Sequence, residues 1–410
     1  MKKSSKNDLG VSRLERAARL RIQRTPYGCG RRVRQWSAMA EKTVALTMAD
    51  CVSYGTSQPT ASVPSVLFYQ EYFGHDVHLL EQCHEQLRSG SRACIFLAGD
   101  SSLDNKFWFN SATEAINGYE RVLRPPRMKQ DVCYWINAEL VRRGLGTQHF
   151  CLNAAVEATS LNSRSCCTLL PQDALIRDKL SAKDTLIVSI GGNDLALNPV
   201  LATILNIVPL LCCTPEVCIE KYACACPPNL HVDLGCCGCG LPGCMVSAFG
   251  WPPGMAYFVD LFKNRIENYI NHILNGRKPA LVVVCMYYFL DVHGRGSWAD
   301  GFLSAMCYDC APTRLQAAIK QIFALATSRI QIDGGRVRVL PFPLFEALDG
   351  NDTEDYVQRV EPSVRGGAKM ACALVDAVFG SFDGASGGGA AAASASAAPT
   401  NAAMIGARVW

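Results

Sequence analysis

Histidine is scarce in this 410-residue chain, with seven in all, so few side chains can serve as a general base near neutral pH. No apolar stretch of the kind a secretory signal needs lies near Met1. The expectation is therefore an intracellular protein, in which Asn351-Asp352-Thr353 is a chance match to a glycosylation site and disulfides are disfavoured. No internal repeat is visible. Charged residues make up only 19% and hydrophobic ones 49%, which excludes a disordered chain and suits a globular, enzyme-sized protein. The mostly apolar run from Leu195 to Cys213 is interrupted by Asn198, Pro199, Asn206 and Pro209, which argues against a membrane span and for a buried helix. The net charge of +4 conceals an asymmetry. Residues 1–43 hold twelve Lys/Arg against Asp8, Glu15 and Glu41, about +9, so the remainder is near −5 and no nucleic-acid partner is expected.

Two apolar runs end in small-residue turns that carry chemistry. Ala93-Cys94-Ile95-Phe96-Leu97-Ala98 leads into Gly99-Asp100-Ser101-Ser102-Leu103-Asp104-Asn105, and Thr185-Leu186-Ile187-Val188-Ser189-Ile190 leads into Gly191-Gly192-Asn193-Asp194. A buried strand followed by a glycine turn leaves the next side chain at the strand's C-terminal edge, where open parallel sheets bind ligands. One turn offers a hydroxyl nucleophile and the other a side-chain amide able to hold an oxyanion.

These residues resemble two blocks of the GDSL, or SGNH, hydrolase family: Gly99-Asp100-Ser101 with Asp104-Asn105, and Gly191-Gly192-Asn193-Asp194. The resemblance spans roughly residues 92–378. It implies that Ser101 is the acyl-accepting nucleophile and that the Ser101 N–H and the Asn193 side chain are oxyanion donors. The family's intervening glycine falls near Asn153-Ala154-Ala155-Val156-Glu157-Ala158, where Ala158 takes its place. Its N–H remains a donor, an exchange that is tolerable if Ala158 keeps a negative φ. The family's final block, Asp-x-x-His before Pro-Ser, reads Gln358-Arg359-Val360-Glu361-Pro362-Ser363 here, with Glu361 in place of the histidine and Gln358 in place of the aspartate.

Two candidates for the base follow. Pro362 suits the first position of a helix, which would put Glu361 at the cap and lower its pKa, making it a poor proton acceptor. His293 lies in Asp291-Val292-His293-Gly294-Arg295-Gly296-Ser297-Trp298, just after the β-branched run Leu281-Val282-Val283-Val284-Cys285-Met286. In the family's strand order 2-1-3-4-5 this loop leaves the same sheet edge as Ser101, two strands or about 10 Å away. His293 is therefore the expected base, with Asp291 to orient it. The other histidines sit elsewhere: His75, His78 and His84 before the first strand, His149 and His272 at element ends, and His231 among cysteines.

Strands are expected near 92–98, 148–153, 184–190, 280–287 and 336–341. Helices are expected near 129–143, 171–182, 254–275, 312–329 and 363–378. This alternation predicts a three-layer α/β/α domain over 92–378 around a parallel sheet of about five strands. Phe258, Leu261, Phe262, Ile266, Tyr269, Ile270 and Ile273 recur at helical spacing as a packing face. Before the domain come a basic arm, 1–43, and a helical extension, 44–91. After it, the Gly/Ala/Ser-rich 379–410 reads as a disordered tail. The arm could be an organelle-targeting presequence, a patch for an anionic membrane or nucleic acid, or simply a solvated extension, which is the leading expectation.

Within 212–252, Cys212, Cys213, Cys218, Cys224, Cys226, Cys236, Cys237, Cys239 and Cys244 accumulate among Gly and Pro. So few large apolar side chains cannot make a core, so structural zinc, disulfides, or free or lipid-modified thiols all remain open. Cys236 and Cys239 have metal-ligand spacing, His231 could add a nitrogen, and Cys307-Tyr308-Asp309-Cys310 repeats the spacing. The leading expectation is an intracellular serine carboxylester hydrolase that needs no cofactor for catalysis. Its substrate would be a small-molecule, lipid or carbohydrate ester. The rival is a binding or scaffold protein that kept the fold and lost the base.

Overall fold

The computed structural model describes residues 62–69, 73–164, 169–196, 201–225 and 249–381. The basic arm 1–43, nearly all of the tail 379–410, and Cys226, His231, Cys236, Cys237, Cys239 and Cys244 lie outside the described residues.

Five strands form one parallel sheet: β1 (Ala93–Gly99), β2 (His149–Asn153), β3 (Thr185–Ser189), β4 (Leu281–Met286) and β5 (Val339–Pro343). Their spatial order is β2-β1-β3-β4-β5. Every residue of β1, β3 and β4 is buried, which explains their near-continuous apolar sequences: both faces of a parallel sheet are covered. Pro341 and Pro343 are confined to β5, an edge strand, where a missing ladder donor is tolerated.

In chain order the helices are α1 (Val77–Leu87), α2 (Val132–Arg142), α3 (Pro171–Lys179), α4 (Leu201–Cys212) and α5 (Glu216–Tyr222). There follow α6 over 255–274, α7 (Asp300–Ala305), α8 (Pro312–Leu325) and α9 (Val364–Phe379). Alternate strand residues point to two cores. Ile95, Leu97, Val283 and Cys285 pack with Ile136 and Leu140 of α2 and with Met370 and Leu374 of α9. Phe96, Ala98, Val282, Val284 and Met286 pack on the other face with α1, α3, α6 and α8. The result is the three-layer α/β/α arrangement.

Helix α6 holds a π-helical turn, Asp260–Arg265, between two α-helical stretches, Met255–Val259 and Ile266–Leu274. Its expected packing face, Phe258 through Ile273, is buried throughout. The expectation of a buried helix after β3 holds for one side of α4 only. Leu210 and Leu211 are buried, but Ile204, Leu205 and Val208 are each nearly half exposed. Among the described residues no single helix is long and apolar enough to cross a membrane.

Candidate active site

The loops after β1, β2, β3 and β4 converge because parallel strands all deliver their C-terminal ends to one edge. Gly99 is indispensable to that convergence. It has φ +134°, and a Cβ there would stand 1.8 Å from the Ser189 carbonyl oxygen of β3, so only glycine lets β1 and β3 approach while the chain turns toward Ser101.

Asp100 organises the turn. Its Oδ1 accepts from Ser102 N (3.1 Å) and Ser102 Oγ (2.8 Å), and its Oδ2 accepts from Gly191 N (3.3 Å) and the Tyr287 hydroxyl. Tyr287 in turn accepts from Gly192 N at 2.7 Å. Three strand-end loops are thus locked together around Ser101. Burial raises the Asp100 pKa, and these hydrogen bonds oppose the rise.

Asp194 is an internal staple rather than a chemical group. It accepts from Leu161 N (2.7 Å) and Asn162 N (3.2 Å), with Arg265 at 3.7 Å. Asn193 is buried, and its Nδ2 donates to the Thr159 carbonyl at 2.9 Å. One amide hydrogen therefore fixes the side chain beside Ser101.

Ala158 has φ +59°, so the condition under which alanine would comfortably replace the family's glycine is not met. The residue holds the left-handed conformation a glycine would adopt without penalty. Beside it lies a buried charge cluster that sequence reading missed. Lys106 Nζ contacts Asp104 Oδ2 at 2.7 Å and Glu157 Oε2 at 3.0 Å, with all three side chains almost wholly buried. Burial disfavours charge on Asp104, but Lys106 outweighs it and holds this carboxyl below its usual range. Burial and the Asp104 charge push Glu157 well above its own. Lys106 thus meets both carboxyls, favouring charge on Asp104 while burial and Asp104 oppose it on Glu157. It ties the Ser101 loop to the loop that bears Ala158. Asn105 makes a second tie, its Nδ2 donating to the Pro362 carbonyl at 2.9 Å.

The two candidate bases are placed in opposite ways to the expectation. His293 is exposed and does not line the cavity that contains Ser101. Asp291 does not orient the imidazole. Its Oδ1 accepts from the backbone N–H of His293 (2.8 Å) and of Gly294 (3.0 Å) and from Thr353 Oγ1 (3.1 Å). Two residues apart, the pair closes a tight turn, and the carboxylate is spent on backbone amides. Glu361 instead lines the cavity with Ser101 and Asn193, and the Ser101 hydroxyl acts on its carboxyl, favouring the charged form.

The expected helix-cap effect on Glu361 is also corrected. The cap of α9 is Ser363, whose Oγ accepts from Gly366 N at 3.1 Å. Glu361 precedes it in a two-residue antiparallel pairing with Val357. Removed from the helix end and buried, its carboxyl is pushed up to about 8, with Asp100 and Asp104 adding to the rise and Ser101 opposing it. Its Oε2 is buried without a partner among the described residues.

The hairpin that presents Glu361 turns through Gln358 (φ +53°) and Arg359 (φ +67°), a left-handed pair that ordinarily selects Asn and Gly. Tertiary contacts enforce it. Arg359 is buried and bridges Asp300 and Asp309, each at 2.9 Å, while the Gln358 carbonyl accepts from Ser297 Oγ at 2.6 Å. Gln358, in the family's aspartate position, therefore anchors a loop and does not orient the base.

Beyond this polar end the cavity, of about 120 Å³, is walled by apolar side chains of α4, α6, α8 and the 286–306 segment. No group of three or more His, Cys, Asp or Glu that could hold a metal ion occurs among the described residues. Of the nine clustered cysteines, Cys212, Cys213, Cys218 and Cys224 are described and are free thiols. Cys212 Sγ and Cys307 Sγ are 3.7 Å apart, too far for a disulfide.

No protein-family model and no curated protein matches the sequence. Among solved structures, a protein from Parabacteroides merdae ATCC 43184 described as a GDSL-like lipase aligns over 70% of this chain and 94% of its own, at 14% identity and TM-score 0.34. A carbohydrate acetylesterase from Sinorhizobium meliloti aligns over 70% and 98%, at 13% identity and TM-score 0.32. An acetyl xylan esterase from Geobacillus stearothermophilus aligns over 71% and 96%, at 9% identity and TM-score 0.31. Likenesses this remote carry no argument about activity, and the site is read from its own geometry.

Proposed function

We propose that this chain is a serine carboxylester hydrolase of SGNH type in which Ser101 is the nucleophile and Glu361, rather than His293, is the base. The observation that carries the reading is that the Glu361 carboxyl, Ser101 and Asn193 line the polar end of one cavity, with Ser101 acting on that carboxyl. A serine hydroxyl needs an adjacent acceptor to become a nucleophile, and a carboxyl near 8 is a stronger base, once ionised, than an exposed one.

The chemistry balances as two acyl transfers. Ser101 Oγ attacks the ester carbonyl as its proton passes to Glu361. The Ser101 and Ala158 N–H groups and the second Asn193 amide hydrogen bear on the oxyanion. The carbonyl–alkoxy bond then breaks, and the alcohol leaves with the proton held by Glu361. Water, deprotonated by the same carboxylate, releases the acid and restores the serine.

The rival reading is a silent binding protein, and it draws on the same carboxyl. Held protonated at pH 7, Glu361 leaves Ser101 without a base. Labelling with a compact fluorophosphonate at pH 8.5 separates the two. Labelling of the native protein and none of Ser101→Ala is expected, whereas equal or absent labelling in both would promote the binding protein.

A further inference from the structure

We propose that the cavity beside Ser101 is an acyl pocket, and that the substrate is an ester of a medium-length aliphatic acid rather than an acetyl ester or an ester of a long-chain alcohol. The inference rests on the esterase reading above and deepens it.

The cavity is chemically divided. Asp100, Ser101, Asn193 and Glu361 stand at one end. From there the walls are Leu210 and Leu211 of α4, Phe258 and Phe262 of α6, and Ile319 and Ile322 of α8. All six are buried, yet they leave open space next to a partly exposed serine instead of packing it shut. An acetyl group would leave that apolar wall in contact with water, a cost an aliphatic chain removes. Those six side chains offer no hydrogen bonds to the several hydroxyls of a carbohydrate, and Trp298 Nε1, a buried lining donor without a partner, could replace only one of those lost to water.

The two-step chemistry assigns the cavity to the acyl side. The acyl group stays covalently on Ser101 between the steps, while the alcohol must leave and water must enter. An apolar cavity can retain the first but would impede the exchange of the second. Each buried methylene contributes about fourfold to transition-state binding. The gain from acetyl to octanoyl should therefore reach at least about 10² after ordering losses.

The test compares ethyl octanoate, ethyl acetate and octyl acetate as substrates, together with Ser101 labelling by a fluorophosphonate carrying only small alkyl groups. Expected is kcat/KM for ethyl octanoate at least about 10² above both acetates, with that ratio falling toward one in Ala318→Phe, which fills the cavity from α8. Because a phenylalanine at the buried Ala318 could unfold the protein, the comparison of ethyl octanoate with octyl acetate in the native protein stands alone. Labelled Ser101 with acetate turned over as fast as octanoate, or with octyl acetate preferred, overturns the acyl pocket and leaves the esterase intact. A folded Ala318→Phe with an unchanged ratio also overturns the pocket. An unlabelled Ser101 with no ester turned over overturns the esterase reading, and the pocket falls with it.

Discussion

Glu361 lines one cavity with Ser101 from a hairpin that sequence order places 260 positions away, and its carboxyl is pushed up to about 8 by burial. A histidine at this position would accept the serine's proton at neutral pH without further help. A buried carboxyl must first lose its own.

That requirement fixes a pH dependence. If Glu361 is the base, kcat/KM should be low at pH 6 and rise about tenfold per unit until it levels near pH 8, since only the carboxylate accepts a proton. Glu361→Gln should lower kcat by about 10²–10⁴ at pH 8.5, and Glu361→His should restore activity with its rise moved to lower pH. His293→Ala should leave kcat/KM within about twofold of the native value. A His293→Ala protein as impaired as Glu361→Gln would return the base to the loop after β4. Ester hydrolysis from pH 5.5 to 9.5 is the measurement.

The same carboxyl should make the protein less stable in alkali. Its ordinary value is 4.5 and its folded value about 8. Between those values the folded state keeps a proton that the unfolded state has lost. Stability from this group therefore falls as pH rises, by about 1.4 kcal/mol per unit, and the loss stops above the folded value. Glu361→Gln has no such dependence, so its urea midpoint should gain on the native protein from pH 5 to pH 8. A constant difference across that range would mean that the carboxyl is not buried in solution.

Much of the fold was legible in the sequence. The central strands are apolar runs with few polar interruptions, and the helical spacing of Phe258 through Ile273 marks a buried face whichever elements cover it. The placement of Ser101 and Asn193 in one cavity was equally legible, since each follows a buried strand through a glycine turn. Which of the two candidate bases would join them there was not. The choice depended on whether Asp291 would hold the His293 imidazole or its backbone, which is decided by a turn two residues long. It depended also on whether Glu361 or Ser363 would cap α9, a shift of two residues that exchanges a lowered pKa for a raised one. Lys106 and Glu157 were missed because a buried lysine is rare, and nothing local says that two carboxyls will meet it. Tyr287 had a faint signal, a tyrosine directly after β4 at the sheet edge where Ser101 lies.

Ala158 offers a test that combines strain and chemistry. At φ +59° it lacks the freedom of glycine, and the strain costs about 1 kcal/mol. Replacing it by glycine relieves that cost but gives the unfolded chain more conformational freedom to lose on folding. Ala158→Gly should therefore leave the urea midpoint unchanged or raise it by up to about 1 kcal/mol equivalent, with activity retained because the N–H remains. Ala158→Val, β-branched in a left-handed position, should cost about 2 kcal/mol. A large loss in Ala158→Gly would show that the methyl group packs more than the backbone strains.

Lys106 tests what holds the nucleophile loop against the loop bearing Ala158. With Asp104 Oδ2 at 2.7 Å and Glu157 Oε2 at 3.0 Å, Lys106→Met would remove the cation and leave a buried carboxylate unpaired, at a cost of about 3–5 kcal/mol. The pH dependence identifies the partner. Lys106 holds Asp104 below its usual range, so this pair stabilises the protein above the unfolded Asp value of 3.8, and the contribution is lost as pH falls through the lower folded value. In Lys106→Met the isolated Asp104 takes up a proton more readily, so the gap to the native protein should be widest near pH 7 and narrow toward pH 4. Adding Asp104→Asn to Lys106→Met should recover part of the loss, because a neutral amide no longer needs the ammonium, and the non-additivity measures the coupling. Urea melts of the native protein, Lys106→Met, Asp104→Asn and the double variant at pH 7 and pH 4 give the cycle. Fluorophosphonate labelling of Ser101, run in parallel, should fall in Lys106→Met and return in part with the double variant. Strictly additive losses would mean that the three buried groups do not act as a unit, and that Asn105 and its bond to Pro362 hold the loop without them.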